Sequence, residues 1–245
     1  MFRRLVVNIA ISAVAFFFIS AVGILLTPIL VHGYGMAAFG LIGLARLFLP
    51  TGMLALIDFG VSEVAIQATA RAREDGAWRR CASHLTLLTA GSLVMGVMAA
   101  ILLSTTAFGL ADVLNAPPAL YHGFAQALLA TALCLPLLFL SLGAEGVIKG
   151  FERYGWIRTL EVGSNLLYAA LALTAVYRNL PFQAVCYAYL IAQSARALVA
   201  ISLAILTLRY QKLAPVRWSR EDRCEVIARC RQIAYGRLLG SLQSQ

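Results

Sequence analysis

The chain has 245 residues, 61% of them apolar and only 13% charged, with a mean hydropathy of +0.82. A soluble domain averages about 45–50% apolar and about 25% charged residues. This chain therefore has too little charge to coat a water-facing surface, and a soluble enzyme is excluded. The formal net charge of +9 points to nucleic acid only until its distribution is read. The basic residues gather between apolar segments, which is how a membrane protein sets its orientation, and no nucleic-acid partner is expected.

Six apolar stretches follow one another, at about 5–31, 38–70, 81–108, 121–148, 157–177 and 182–208. Each reaches the roughly 20 residues that one bilayer crossing needs. In lipid the backbone must satisfy its own hydrogen bonds, so each stretch is expected to be a helix. The opening MFRR resembles a signal-peptide start, but the apolar run behind it is too long and lacks a small-residue cleavage site. It reads as an uncleaved first span. Short segments with turn or charge signals separate the spans: HGYG at 32–35, RAREDGAWRR at 71–80, GLADVLNAPP at 109–118, KGFERYGW at 149–156 and RNLP at 178–181. Pro28, Pro50 and Pro136, with Gly43 and Gly52, offer places to bend. The expected fold is an all-α integral membrane protein with one bundle of six transmembrane helices over residues 1–208. Residues 209–232 read as a basic, amphipathic cytoplasmic linker on the membrane surface. Residues 233–245 read as the start of a truncated seventh span.

Five scattered cysteines contain no CxxC pair, and histidines stand only at 32, 84 and 122. Neither a disulfide framework nor a metal site is expected, and no cofactor is implied. Orientation is counted from the twenty Lys and Arg residues. Seventeen lie in the N-terminus, the 71–80 and 149–158 loops and the tail after residue 208, against Arg178 alone in the opposite set; Arg46 and Arg196 lie inside spans. The positive-inside rule then places the N-terminus in the cytoplasm.

Three segments carry a family resemblance: NIAISAVAFFFISAVGILLTPILVHGYGMAAFGLIGLAR (8–46), LALIDFGVSEVAIQATAR (54–71) and GAEGVIKGFERYGWIRTLEVGSNLLY (143–168). They resemble the polysaccharide exporters, or O-antigen flippases, of the multidrug/oligosaccharidyl-lipid/polysaccharide exporter superfamily. The motifs are hydropathy-plus-glycine patterns spread along the chain, with no catalytic signature. The resemblance implies two pseudo-symmetric six-helix bundles in the bacterial inner membrane. A polyprenyl-diphosphate-linked glycan would pass between them by alternating access, for polysaccharide or lipopolysaccharide O-antigen biosynthesis. This sequence supplies one such bundle, so a truncated N-terminal half is expected, with pairing to a second half or another copy as the alternative.

Charges inside apolar spans are functional candidates by default. Arg46 and Arg196 lie deep and have no acid beside them in sequence. A guanidinium keeps its charge when partly dehydrated and grips phosphate oxygens bidentately. Both therefore fit the diphosphate of such a cargo, with a structural ion pair as the competing reading. Gln193, one turn before Arg196, adds neutral hydrogen bonding for sugar hydroxyls. Asp58 and Glu145 are read as coupling groups or intramembrane ion-pair partners, while Arg158 and Glu161 sit three apart and are expected to pair. A cation-coupled multidrug exporter and a structural membrane subunit are the alternatives. A membrane enzyme would need clustered acids for a metal, and neither a DxD nor a DDxxD run is present.

Overall fold

The computed structural model describes residues 2–50, 60–114, 116–210 and 224–233. The described residues are helices joined by turns: α1 (Phe2–Leu47), α2 (Val61–Asp75), α3 (Trp78–Val113), α4 (Pro118–Gly150), α5 (Tyr154–Tyr177) and α6 (Gln183–Tyr210). A shorter helix covers 224–233. Five of them, α1 and α3 to α6, are long and apolar enough to cross a bilayer. This is the architecture of a multi-pass membrane protein. Large apolar side chains face outward, among them Phe16, Phe17, Ile24 and Leu25 of α1 and Met98, Ile101 and Leu102 of α3. In water such a surface would aggregate, whereas lipid solvates it. The polar residues of these helices answer to the same constraint. Thr86, Thr89, Thr131, Thr174 and Thr207 each donate to the carbonyl four residues back, so their hydroxyls are satisfied without water.

Helix α4 lies along α2, α3 and α6, while α6 also packs on α5, and α5 on α1. The path of α1 follows from its neighbours. Arg158, in the first turns of α5, donates to Ser12 at 3.1 Å, and Gly33 abuts Val176 near the end of α5. The two helices therefore run side by side in one direction. At Gly35 the backbone takes φ 82 and ψ 165, a conformation that glycine alone adopts readily. Beyond it Arg46 lies against Tyr168 in the middle of α5, and Leu49 packs with Leu138, Leu190 and Ala197. The chain thus turns back at Gly35, where the HGYG segment predicts a loop.

The predicted span 38–70 differs most from the structure. Its helix stops at Leu47, and the next described one begins at Val61 behind Gly60, which has φ 74. Among the described residues no single long apolar helix corresponds to this span. Pro50 explains the stop, because a proline disfavours helical backbone in the residue before it. Residues 51–59, with Gly52 and Asp58, lie outside the described residues, as do 211–223 of the predicted linker and 234–245 of the predicted seventh span.

Four contacts place the return limb and α2 on one path. Leu49 and Pro50 line a cavity with Gln193 and Arg196. Gly146 of α4 then touches Ser62, and Gly150 touches Thr69. At the end of α2, Arg73 donates to the Gly150 carbonyl at 3.0 Å. Residues 36–75 therefore lead from the end of the bundle that holds Val176 to the end that holds Gly150.

Candidate functional site

Two adjoining charged sites lie between the helices. In the first, the Arg46 guanidinium carbon sits 4.5 Å from the Tyr168 ring centre and 4.4 Å from that of Tyr189. The rings stand edge to face, 5.3 Å apart at 89°, and Arg46 also donates to the Tyr168 hydroxyl. Aromatic faces stabilise a cation by about 0.5–2 kcal/mol each when water is largely excluded. They do so without neutralising it. Among the described residues no carboxylate pairs with Arg46, and its Nε is buried without a hydrogen-bond partner.

Seven residues along α6 from Tyr189, or about 10 Å at 1.5 Å per residue, Arg196 begins the second site. Its guanidinium meets Glu145 of α4 at 2.6 Å and Glu161 of α5 at 3.8 Å. Glu161 also holds Arg158 at 2.6 Å, and Glu145 has Lys149 at 3.9 Å. The result is an alternating row of three cations and two carboxylates across three helices. Arg196 and Glu145 are largely buried, with side chains 14% and 11% exposed. Desolvation makes such a row costly unless every charge has a partner, and here each one does.

A cavity of about 60 Å³ opens beside this row, lined by Pro50, Ser141, Glu145, Gln193 and Arg196 among others. It is large enough for about two waters at roughly 30 Å³ each. Gln193 is buried, one turn from Arg196, so the two residues named together from sequence border one space. Arg46 stands apart from that space, in its tyrosine cage. Asp58 lies outside the described residues. Sequence reasoning missed Tyr168 and Tyr189. Their signal is spacing: Tyr189, Gln193 and Arg196 share one face of α6, and Glu161 and Tyr168 one face of α5. Among the described residues no group of three His, Cys, Asp or Glu side chains is placed to hold a metal ion.

Comparison with protein-family models, curated proteins and solved structures finds no match for this chain. Fold and site together define a helical, multi-pass membrane protein that holds a tyrosine-caged arginine and an ion-pair row within its bundle.

Proposed function

We propose that this chain is one bundle of a transporter that moves a lipid-diphosphate-linked oligosaccharide across the bacterial inner membrane by alternating access. Arg46 carries the proposal. A cation held by two tyrosines and no described carboxylate keeps its charge available to an anionic cargo, and tyrosine faces are also suited to stacking against sugars. Five helices long and apolar enough to cross a bilayer support it as well, and in this reading residues 36–75 make one further crossing.

The test is binding of a short-chain prenyl-diphosphate disaccharide to the purified protein in detergent. Losing one charge-assisted phosphate contact costs about 1.5–3 kcal/mol, so Arg46→Gln should weaken binding by roughly ten- to a hundredfold. Equal affinity of wild type and Arg46→Gln would sink the reading.

A second reading, a cation-coupled exporter, draws on Glu145, a buried carboxylate at the cavity wall. It predicts the reverse pattern in proteoliposomes: proton-driven efflux is lost in Glu145→Gln and kept in Arg46→Gln.

A further inference from the structure

The 224–233 helix seats against the end of the bundle where α2 finishes and α3 begins. Val226 is buried, and Ile233 lies on Gly60, where any Cβ would meet its Cγ2 at 2.6 Å. This seating brings Glu225 to α3. One carboxylate oxygen accepts from Arg80 at 2.5 Å and the other from Arg229, with His84 Nε2 3.6 Å behind. Beside it opens a cavity of about 310 Å³, which Arg71 and Asp75 of α2 also line. Arg71 has no hydrogen bond or ion pair among the described residues and is exposed. The Arg80 side chain is 64% exposed.

We propose that this cavity binds a phosphate-bearing anion, with Arg71 and Arg80 on the phosphoryl oxygens and Glu225 as the internal anion it displaces. Three guanidinium groups face two carboxylates, leaving a full positive charge in surplus. Each oxygen of Glu225 takes one charge-assisted hydrogen bond from a separate guanidinium, the kind of contact that also binds phosphate oxygens. Burial pushes the Glu225 carboxyl up, but the Arg80 hydrogen bond and the charges of Arg229, Arg80 and His84 outweigh it and hold it below its usual range. Glu225 is therefore ionised at neutral pH and stands where a phosphoryl group would. The volume far exceeds the roughly 30 Å³ of a water and accommodates a diphosphate. The site is independent of the transport reading. Two sources share its chemistry, a soluble phosphate compound and the headgroup of an anionic lipid.

Calorimetric titration of inorganic diphosphate into the purified full chain in maltoside detergent tests the proposal. Saturable one-to-one binding is expected, weakened about tenfold or more in both Arg71→Gln and Arg80→Gln and tightened in Glu225→Gln. Arg71→Gln is the decisive variant, since it removes no hydrogen bond or ion pair among the described residues. The same titration in high salt, which screens surface charge, separates the sources in bilayer discs. Diphosphate affinity that falls on adding phosphatidylglycerol to phosphatidylcholine marks the headgroup as occupant, and unchanged affinity marks a soluble phosphate. The proposal is overturned if the wild type shows no saturable binding, or if Arg71→Gln binds diphosphate as the wild type does.

Discussion

Arg46 and Arg196 are both guanidinium groups inside an apolar bundle, but they keep their charge in different company. Arg196 is fixed between two carboxylates, and its removal leaves Glu145 and Glu161 short of a partner. Breaking a buried pair from one side costs about 3–5 kcal/mol when the remaining charge is left alone. Here Lys149 and Arg158 keep one partner on each carboxylate, so the loss is a part of that. Arg196→Gln should therefore lower the thermal unfolding temperature and the monodisperse yield in detergent. The double variant Arg196→Gln/Glu145→Gln should regain a large part of the loss. A single variant as stable as the wild type would show that the row contributes nothing. Arg46→Gln strands no carboxylate among the described residues, where it removes the contacts with Tyr168 and Tyr189. Sequence reasoning found both arginines, since a charge within an apolar run stands out. It did not separate them, because Glu145 and Arg196 are 51 residues apart and nothing local marks their pairing.

At the scale of elements, close approach between helices decides the packing. Gly146 and Gly150 are four apart on α4, a small-residue face of the kind that lets membrane helices meet backbone to backbone. A Cβ on Gly146 would lie 2.5 Å from the Ser62 carbonyl oxygen of α2, and one on Gly150 would lie 2.6 Å from the Thr69 Cβ. Gly146→Ala should push α2 from α4 and cost about 1–3 kcal/mol, as overpacking does. The matched control is Gly91→Ala on α3, where nothing lies within 4 Å, so alanine's better helix propensity should leave stability equal or higher. Unfolding midpoints of the two variants check this, and a Gly146→Ala midpoint at or above that of Gly91→Ala would refute it. Helices α3 to α6 were legible in the sequence, since each is one unbroken apolar run between charged or turn segments. The stretch 38–70 was legible in composition but not in continuity. Apolar content does not reveal that helix stops before Pro50 and starts afresh behind Gly60. The role of Gly146 was hidden for a related reason: a glycine in a membrane span is ordinary until its neighbour is known.

At the scale of the whole molecule, the remaining question is how many times the chain crosses the bilayer. Five helices qualify by length and composition, whereas the path of residues 36–75 from the Val176 end to the Gly150 end adds a sixth crossing only if it traverses the bilayer. The two counts differ in where they put the 71–80 loop. With six crossings, Arg71, Arg73, Arg79 and Arg80 share one face with Lys149, Arg153 and Arg158, as the positive-inside rule requires. The structure brings these groups together, since Arg73 reaches Glu152 at 3.4 Å and Trp78 stacks on Phe151 at 5.9 Å. At the opposite end Gly123 packs against Phe182 and Gln183, which joins the 114–117 and 178–182 turns on one face. Fusions of alkaline phosphatase and of green fluorescent protein read the two faces independently. Phosphatase should be active after Gly35, Ala116 and Asn179, and fluorescence should appear after Gly76 and Glu152. Gly35 and Gly76 form the decisive pair, because only a chain that crosses between them reports opposite faces. If both junctions report the same face, residues 36–75 re-enter without crossing, the count falls to five, and the six-helix bundle is lost.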